Sequence, residues 1–182
     1  TQSRSSAASD VYKRQFLDHA QILSTSDEEA IKSQAQSMHL PDSVHEVLYA
    51  TYPNSGEEFS RTLFHDLERE HPQFISGSGL QKNVLVIAVG FEPNSMAVHC
   101  GTEVCQDIKI YDEGRMDGIL DQMRPALADD DYTVGMILAT RAAADTTVRR
   151  QYTQDMPTWS VFIAATMVLV VLGAVGLISY LF

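Results

Sequence analysis

Basic residues are scarce in this chain. Thirteen lysines and arginines stand against 24 aspartates and glutamates, a net charge of −11. That balance argues against nucleic acid as a partner, because phosphate contacts need a basic face. It also argues against adhesion to anionic lipid headgroups, and it favours solubility, cations and basic partners. Cysteine is scarce too. Cys100 and Cys105 in His-Cys-Gly-Thr-Glu-Val-Cys are two ligands short of a zinc site. They are either a disulfide pair, whose geometry the spacing alone does not fix, or two small buried apolar side chains. There is no GxSxG, HExxH, Walker loop or GxGxxG, no internal repeat and no low-complexity tract. The histidines His19, His39, His45, His65, His71 and His99 are scattered. His65 and His71 share a helix but, six residues apart, not a face.

Charge is absent altogether from the last 25 residues, Thr158 to Phe182. As a helix this stretch is roughly 37 Å long, against a hydrocarbon core of about 30 Å. Trp159 and Tyr180 sit near its ends as interfacial anchors do, and Pro157 suits a first helical turn. A core helix is rarely apolar all round for so long, so a single transmembrane helix over 158–182 is expected, with 151–157 as its juxtamembrane linker. Arg141, Arg149 and Arg150 precede it and no charge follows. Taken literally, the positive-inside rule puts the preceding domain in the cytoplasm.

The N-terminus departs from the rest. Ser5 to Gln15 reads as the translation of a common transposase sequencing adapter, so residues 1–15 are expected to be non-native and are set aside. Taking Arg4, Lys13, Arg14 and Asp10 out of the 13 basic and 24 acidic side chains leaves 10 against 23, a net of −13. Residues 16–150 then form one α/β domain, long enough to bury a core.

Within it, Ser26-Asp27-Glu28-Glu29 reads as a capping box before a helix carrying Ala30, Ile31, Ala35 and Met38. Val44 to Tyr52 reads as a strand between Pro41 and Pro53. A second capping-box pattern, Ser55 to Glu58, leads a helix with Phe59, Leu63, Phe64 and Leu67 on one face, ending near His71-Pro72. Ser76 to Gly79 is a loop. Val84 to Val89 is a strand buried on both faces, and Met96 to Cys100 is a short strand beside it. The strand–helix–strand order implies a parallel pair with a right-handed crossover. Met116, Ile119, Leu120, Met123 and Leu127 form an amphipathic stripe, with Pro125 expected to kink or end that helix. Tyr132 to Arg149 is read as the last helix.

The carboxylates offer the one constellation with chemistry. Asp129, Asp130 and Asp131 lie between the last two helices, and Asp112 precedes the first of them. Hard cations such as Ca²⁺ take several such oxygens. The alternative is that Asp131 caps the last helix while its neighbours complement the helix N-terminus.

Several of these segments together resemble a TPM domain of the membrane-anchored bacterial envelope type. They are Leu40-Pro41 with Val44 to Val47, Lys82 to Gly90, Cys100 to Val104, Asp112-Glu113-Gly114-Arg115, and Asp129 to Gly135. The resemblance covers roughly Leu17 to Ala144. It implies a small mixed sheet sandwiched between helices and an extracytoplasmic domain. It also implies calcium binding by acidic loops in some members, which match Asp129, Asp130, Asp131 and Asp112 here. Acid phosphatase activity is attributed to some relatives, and a role as accessory subunit of membrane assemblies to others. The resemblance supplies no catalytic residue. The expectation is therefore a single-pass, non-enzymatic envelope module that assists a membrane-protein partner. Its rival is a metal-assisted phosphomonoesterase, for which Arg115 and Arg124 are the only nearby cations able to hold phosphate.

Overall fold

Alternation along the central strands dictates the layering. The strand β2 (Glu46–Tyr52) is buried from Val47 onward, and β5 (Val84–Phe91) is buried to Gly90. Side chains alternate across a strand, so each strand feeds two cores. Val47, Tyr49, Leu85, Ile87 and Val89 face one side, and Leu48, Ala50, Tyr52, Val86 and Ala88 the other. β2 and β5 pair in parallel, with Val47 opposite Leu85 and Tyr49 opposite Ile87. β1 (Lys13–Asp18) adds in parallel to β2, and β6 (Asn94–Cys100) adds antiparallel to β5. The sheet order is therefore β1-β2-β5-β6. The short strands β3 (Ile75–Ser76) and β4 (Gly79–Leu80) form a separate hairpin around Gly77, which takes φ +62°.

The computed structural model describes residues 13–53, 59–91 and 94–150; these belong to one unit, which ends at Arg150. On one face of the sheet lie α1 (Thr25–Ser37), α3 (Thr102–Asp107), α4 (Arg115–Ala128) and α5 (Tyr132–Ala144). They contribute Ile31, Val104, Ile119, Met123, Met136 and Ala139 to that core. The other face is covered by α2 (Phe59–Glu70) through Phe59, Leu63 and Leu67, and by Phe74 in a single 3₁₀ turn. Burying such a side chain stabilises by about 1.5–3 kcal/mol. The polar groups Tyr49 and Thr140 enter the core as a bonded pair. The Tyr49 hydroxyl lies 2.9 Å from Thr140 Oγ1, and burial pushes the Tyr49 pKa up to about 12. The result is a mixed α/β sheet between helices.

Several local expectations are corrected. The capping box of α1 is formed by Ser24 and Asp27, two residues before the expected Ser26 and Glu29. Asp27 reaches back to the Ser24 N–H as well as a glutamate does. Of the kink or end expected at Pro125, the end is not found: α4 runs through the proline to Ala128; Met123, Ala126 and Leu127 are buried around it, and that packing offsets the lost hydrogen bond. α5 stops at Ala144, five residues short of Arg149. There Asp145 accepts from the Thr147 N–H and hydroxyl, a local bond that competes with helix. β1 was not anticipated. Its first three residues come from the adapter-like segment, yet Lys13, Arg14 and Gln15 pair with Glu46, Val47 and Leu48. A backbone ladder accepts any side chain that fits the pleat.

Segment 1–12, the pattern at 55–58, the linker 151–157 and the expected membrane helix 158–182 lie outside the described residues. Among the described residues no helix is long and apolar enough to cross a membrane.

Candidate functional site

The two acidic turns stand at opposite ends of α4. Fourteen helical residues separate them by about 20 Å at 1.5 Å per residue. The structure therefore brings Asp129, Asp130 and Asp131 together as neighbours but does not bring Asp112 to them.

At the C-terminal end the chain reverses between α4 and α5. Asp129 is the C-cap of α4, and the N–H of Asp131 donates to the carbonyl of Ala126 at 2.8 Å. Asp130 takes φ +56°, a left-handed conformation that short polar residues tolerate better than most. The Asp131 carboxylate accepts from the Val134 N–H at 2.9 Å, which caps α5. Asn94, the first residue of β6, braces the turn. Its Nδ2 donates to the Leu127 carbonyl at 2.9 Å, and its Oδ1 accepts from the Tyr132 hydroxyl at 3.1 Å. That hydroxyl lies 3.3 Å from Asp130 Oδ1. Beside the turn is a small open cavity of about 220 Å³ lined by Asn94, Met96, Arg124, Leu127 and Ala128.

Calcium takes roughly six to eight oxygens, from backbone carbonyls and water as well as carboxylates. Asp131 is engaged as a cap, Asp112 is remote, and Asp130 with Asn94 presents two side-chain oxygens to one hydroxyl. Among the described residues no three histidine, cysteine, aspartate or glutamate side chains group as metal ligands.

At the N-terminal end the chemistry is of another kind. Gly114 precedes α4 with φ +68°, and Arg115 follows, fully buried. The Arg115 guanidinium donates to four backbone carbonyls: Ile108 at 2.8 Å, Val148 at 3.1 Å, Ala142 at 2.8 Å and Ala143 at 3.0 Å. Burial, and then the nearby Arg149, push its pKa down, while Asp145 and Asp112 oppose them. Arginine remains charged over the working pH range. Ala142 and Ala143 belong to the last turn of α5, where carbonyls lack helical partners and a cation is favoured. Asp112 pairs with Arg149 at 2.8 Å. Arg150 lies 3.5 Å from Asp117 and 3.6 Å from Asp121, which also pairs with Arg124 at 3.0 Å. Arg115 is thus closed to any phosphate, and Arg124 is held by Asp121.

The cysteines form a disulfide between the end of β6 and α3. Gly101 between them is required by contact: a Cβ there would stand 1.8 Å from the Gln81 carbonyl oxygen. The histidines do not converge. His99 Nε2 lies 3.2 Å from Ser60 Oγ on the other face of the sheet, and burial pushes its pKa down. His45 meets Asn83, and His19 stacks on Tyr52.

The sequence reading missed the buried role of Arg115. Its available signal was the Asp-Glu-Gly-Arg turn itself, where a glycine in the left-handed region precedes a helix.

No family model matches the sequence, and no curated protein matches it significantly. Two solved structures share the fold. The N-terminal domain of the cg2496 protein from Corynebacterium glutamicum superposes with a TM-score of 0.51 at 13% identity, over 85% of this chain and 92% of that one. The N-terminal domain of a protein from P. gingivalis does so with a TM-score of 0.50 at 17% identity, over 72% of this chain and 80% of that one. At such identities the likeness establishes the fold alone.

Proposed function

We propose that this chain is a TPM-like, membrane-anchored module of the cell envelope. In this reading the α/β domain lies outside the cytoplasm and assists a membrane-protein partner without catalysis of its own. The observation that carries the reading is the fate of Arg115. One of the two candidates for holding a phosphate is engaged instead by four backbone carbonyls, which turns the Asp112–Arg115 motif into architecture. The Cys100–Cys105 disulfide supports an oxidising compartment. Arg149 and Arg150 are ion-paired to carboxylates of the same domain. They are part of a folded unit, and such domains cross membranes largely regardless of their charge.

Protease added to intact cells tests the placement. The domain should be degraded; protection until the membrane is permeabilised would reverse it. Hydrolysis of a generic phosphomonoester by the full chain tests the rival, with and without Ca²⁺ or Mg²⁺. Turnover of about 1 s⁻¹ or more, in the ordinary enzyme range, and lost in Asp130→Asn, would establish the phosphatase reading instead.

A further inference from the structure

We propose that Arg115 is a latch that folds the exit segment Asp145–Arg150 down onto α4, and so fixes where the chain leaves the domain. Three independent features meet there. The first is the guanidinium, which ties Ile108, the end of α5 and Val148 into one buried knot. The second is Gly118, on the face of α4 that the segment crosses. A Cβ at this position would stand 2.7 Å from the Arg149 carbonyl carbon and 2.8 Å from its Cα, so the absence of a side chain is what lets the two backbones touch. The third is a set of outer ties. The Arg150 N–H donates to the Gly114 carbonyl at 2.8 Å, Asp112 holds Arg149, and Asp117 and Asp121 hold Arg150.

These features have a common outcome. α5 begins at the acidic turn and returns to the start of α4, so the latch places the exit at the end of the domain remote from Asp129–Asp131. Released, the six residues 145–150 would add roughly 20 Å of reach at about 3.3 Å per residue. Latched, they add almost none. The exposed ion pairs are worth little alone, so the buried arginine and the glycine contact carry the closure. The inference holds whatever follows Arg150.

Amide hydrogen exchange on the full chain in mild detergent tests it, comparing wild type with Arg115→Lys and Gly118→Ala. The lysine keeps a charge but cannot span four carbonyls. The alanine leaves Arg115 intact and meets the strap backbone first, so it remains informative if Arg115→Lys folds poorly. In wild type the Arg150 amide should be protected. In Gly118→Ala it should exchange at least about tenfold faster, while the Ile87 and Val89 amides of β5 keep their rates, as local opening requires. Trypsin cleavage after Arg149 should accelerate in parallel. An Arg150 amide that already exchanges at unstructured-peptide rates in wild type would overturn the latch. So would strap protection unchanged in Gly118→Ala, or β5 amides accelerating in step with the strap.

Discussion

The two ends of α4 carry similar acidic turns and do opposite things with them. At the N-terminal end three carboxylates meet arginines of the exit segment: Asp112 has Arg149, and Asp117 and Asp121 have Arg150. Behind them a fully buried cation satisfies the carbonyls of a helix end. At the C-terminal end three consecutive aspartates sit in an exposed turn, one of them capping α5 and another braced through Tyr132 and Asn94. One end is cross-linked into the core and the other is presented to solvent. The contrast teaches that an acidic motif becomes structural or available according to whether the fold delivers a cation to it.

Breaking the buried end should have the largest effect. Arg115→Met removes the charge but leaves buried carbonyls without donors, and should cost about 3 kcal/mol or more in urea unfolding, as loss of a buried hydrogen-bond network does. A loss below about 1 kcal/mol would mean that the knot is not a core element. Next comes the disulfide, which braces the same helical layer. Replacing Cys100 and Cys105 together by serine should lower stability by about 2 kcal/mol, the loop-entropy value for so short a ring. A reductant should lower the wild-type melting temperature to that of the variant, and equal melting with and without reductant would speak against the bond.

At the exposed end the effects shrink. Asp131→Ala should cost about 1 kcal/mol through loss of the α5 cap, visible as a lower urea midpoint at unchanged slope. Calcium sharpens the comparison furthest. A complete site with Kd near about 1 mM would add about 1.4 kcal/mol at about 10 mM ion. We expect a smaller rise in melting temperature, reduced by Asp130→Asn and indifferent to Asp112→Asn. A full-sized shift lost in Asp112→Asn would show that the two ends of α4 cooperate after all.

Much of the fold was legible because burial leaves a period in the chain. Val84 to Val89 announces a strand covered on both faces, and Phe59, Leu63 and Leu67 announce the helix that covers one of them. What was illegible had no such period. β1 gains its place by backbone pairing to β2, α3 is six residues long, and the end of α5 is set by contacts with Arg115 and a turn at Asp145 rather than by a change in hydrophobicity. The candidate site was legible as residue types and not as an assembly. Asp129 to Asp131 were bound to be neighbours, whereas the position of Asp112 depended on how many helical residues intervene.

The sequence by itself determined the α/β character, the parallel pairing of β2 with β5, the acidic surface and the positions where carboxylates cluster, because each follows from local spacing or from charge that any fold must expose. Only the tertiary structure decided what Arg115 does. A charged side chain in a sequence carries no mark of burial. Whether it meets a phosphate, a carboxylate or four backbone carbonyls depends on segments 7 to 33 residues away. Here those segments are the end of a helix and a strap that crosses a glycine, and their convergence is a long-range contact that no local pattern encodes.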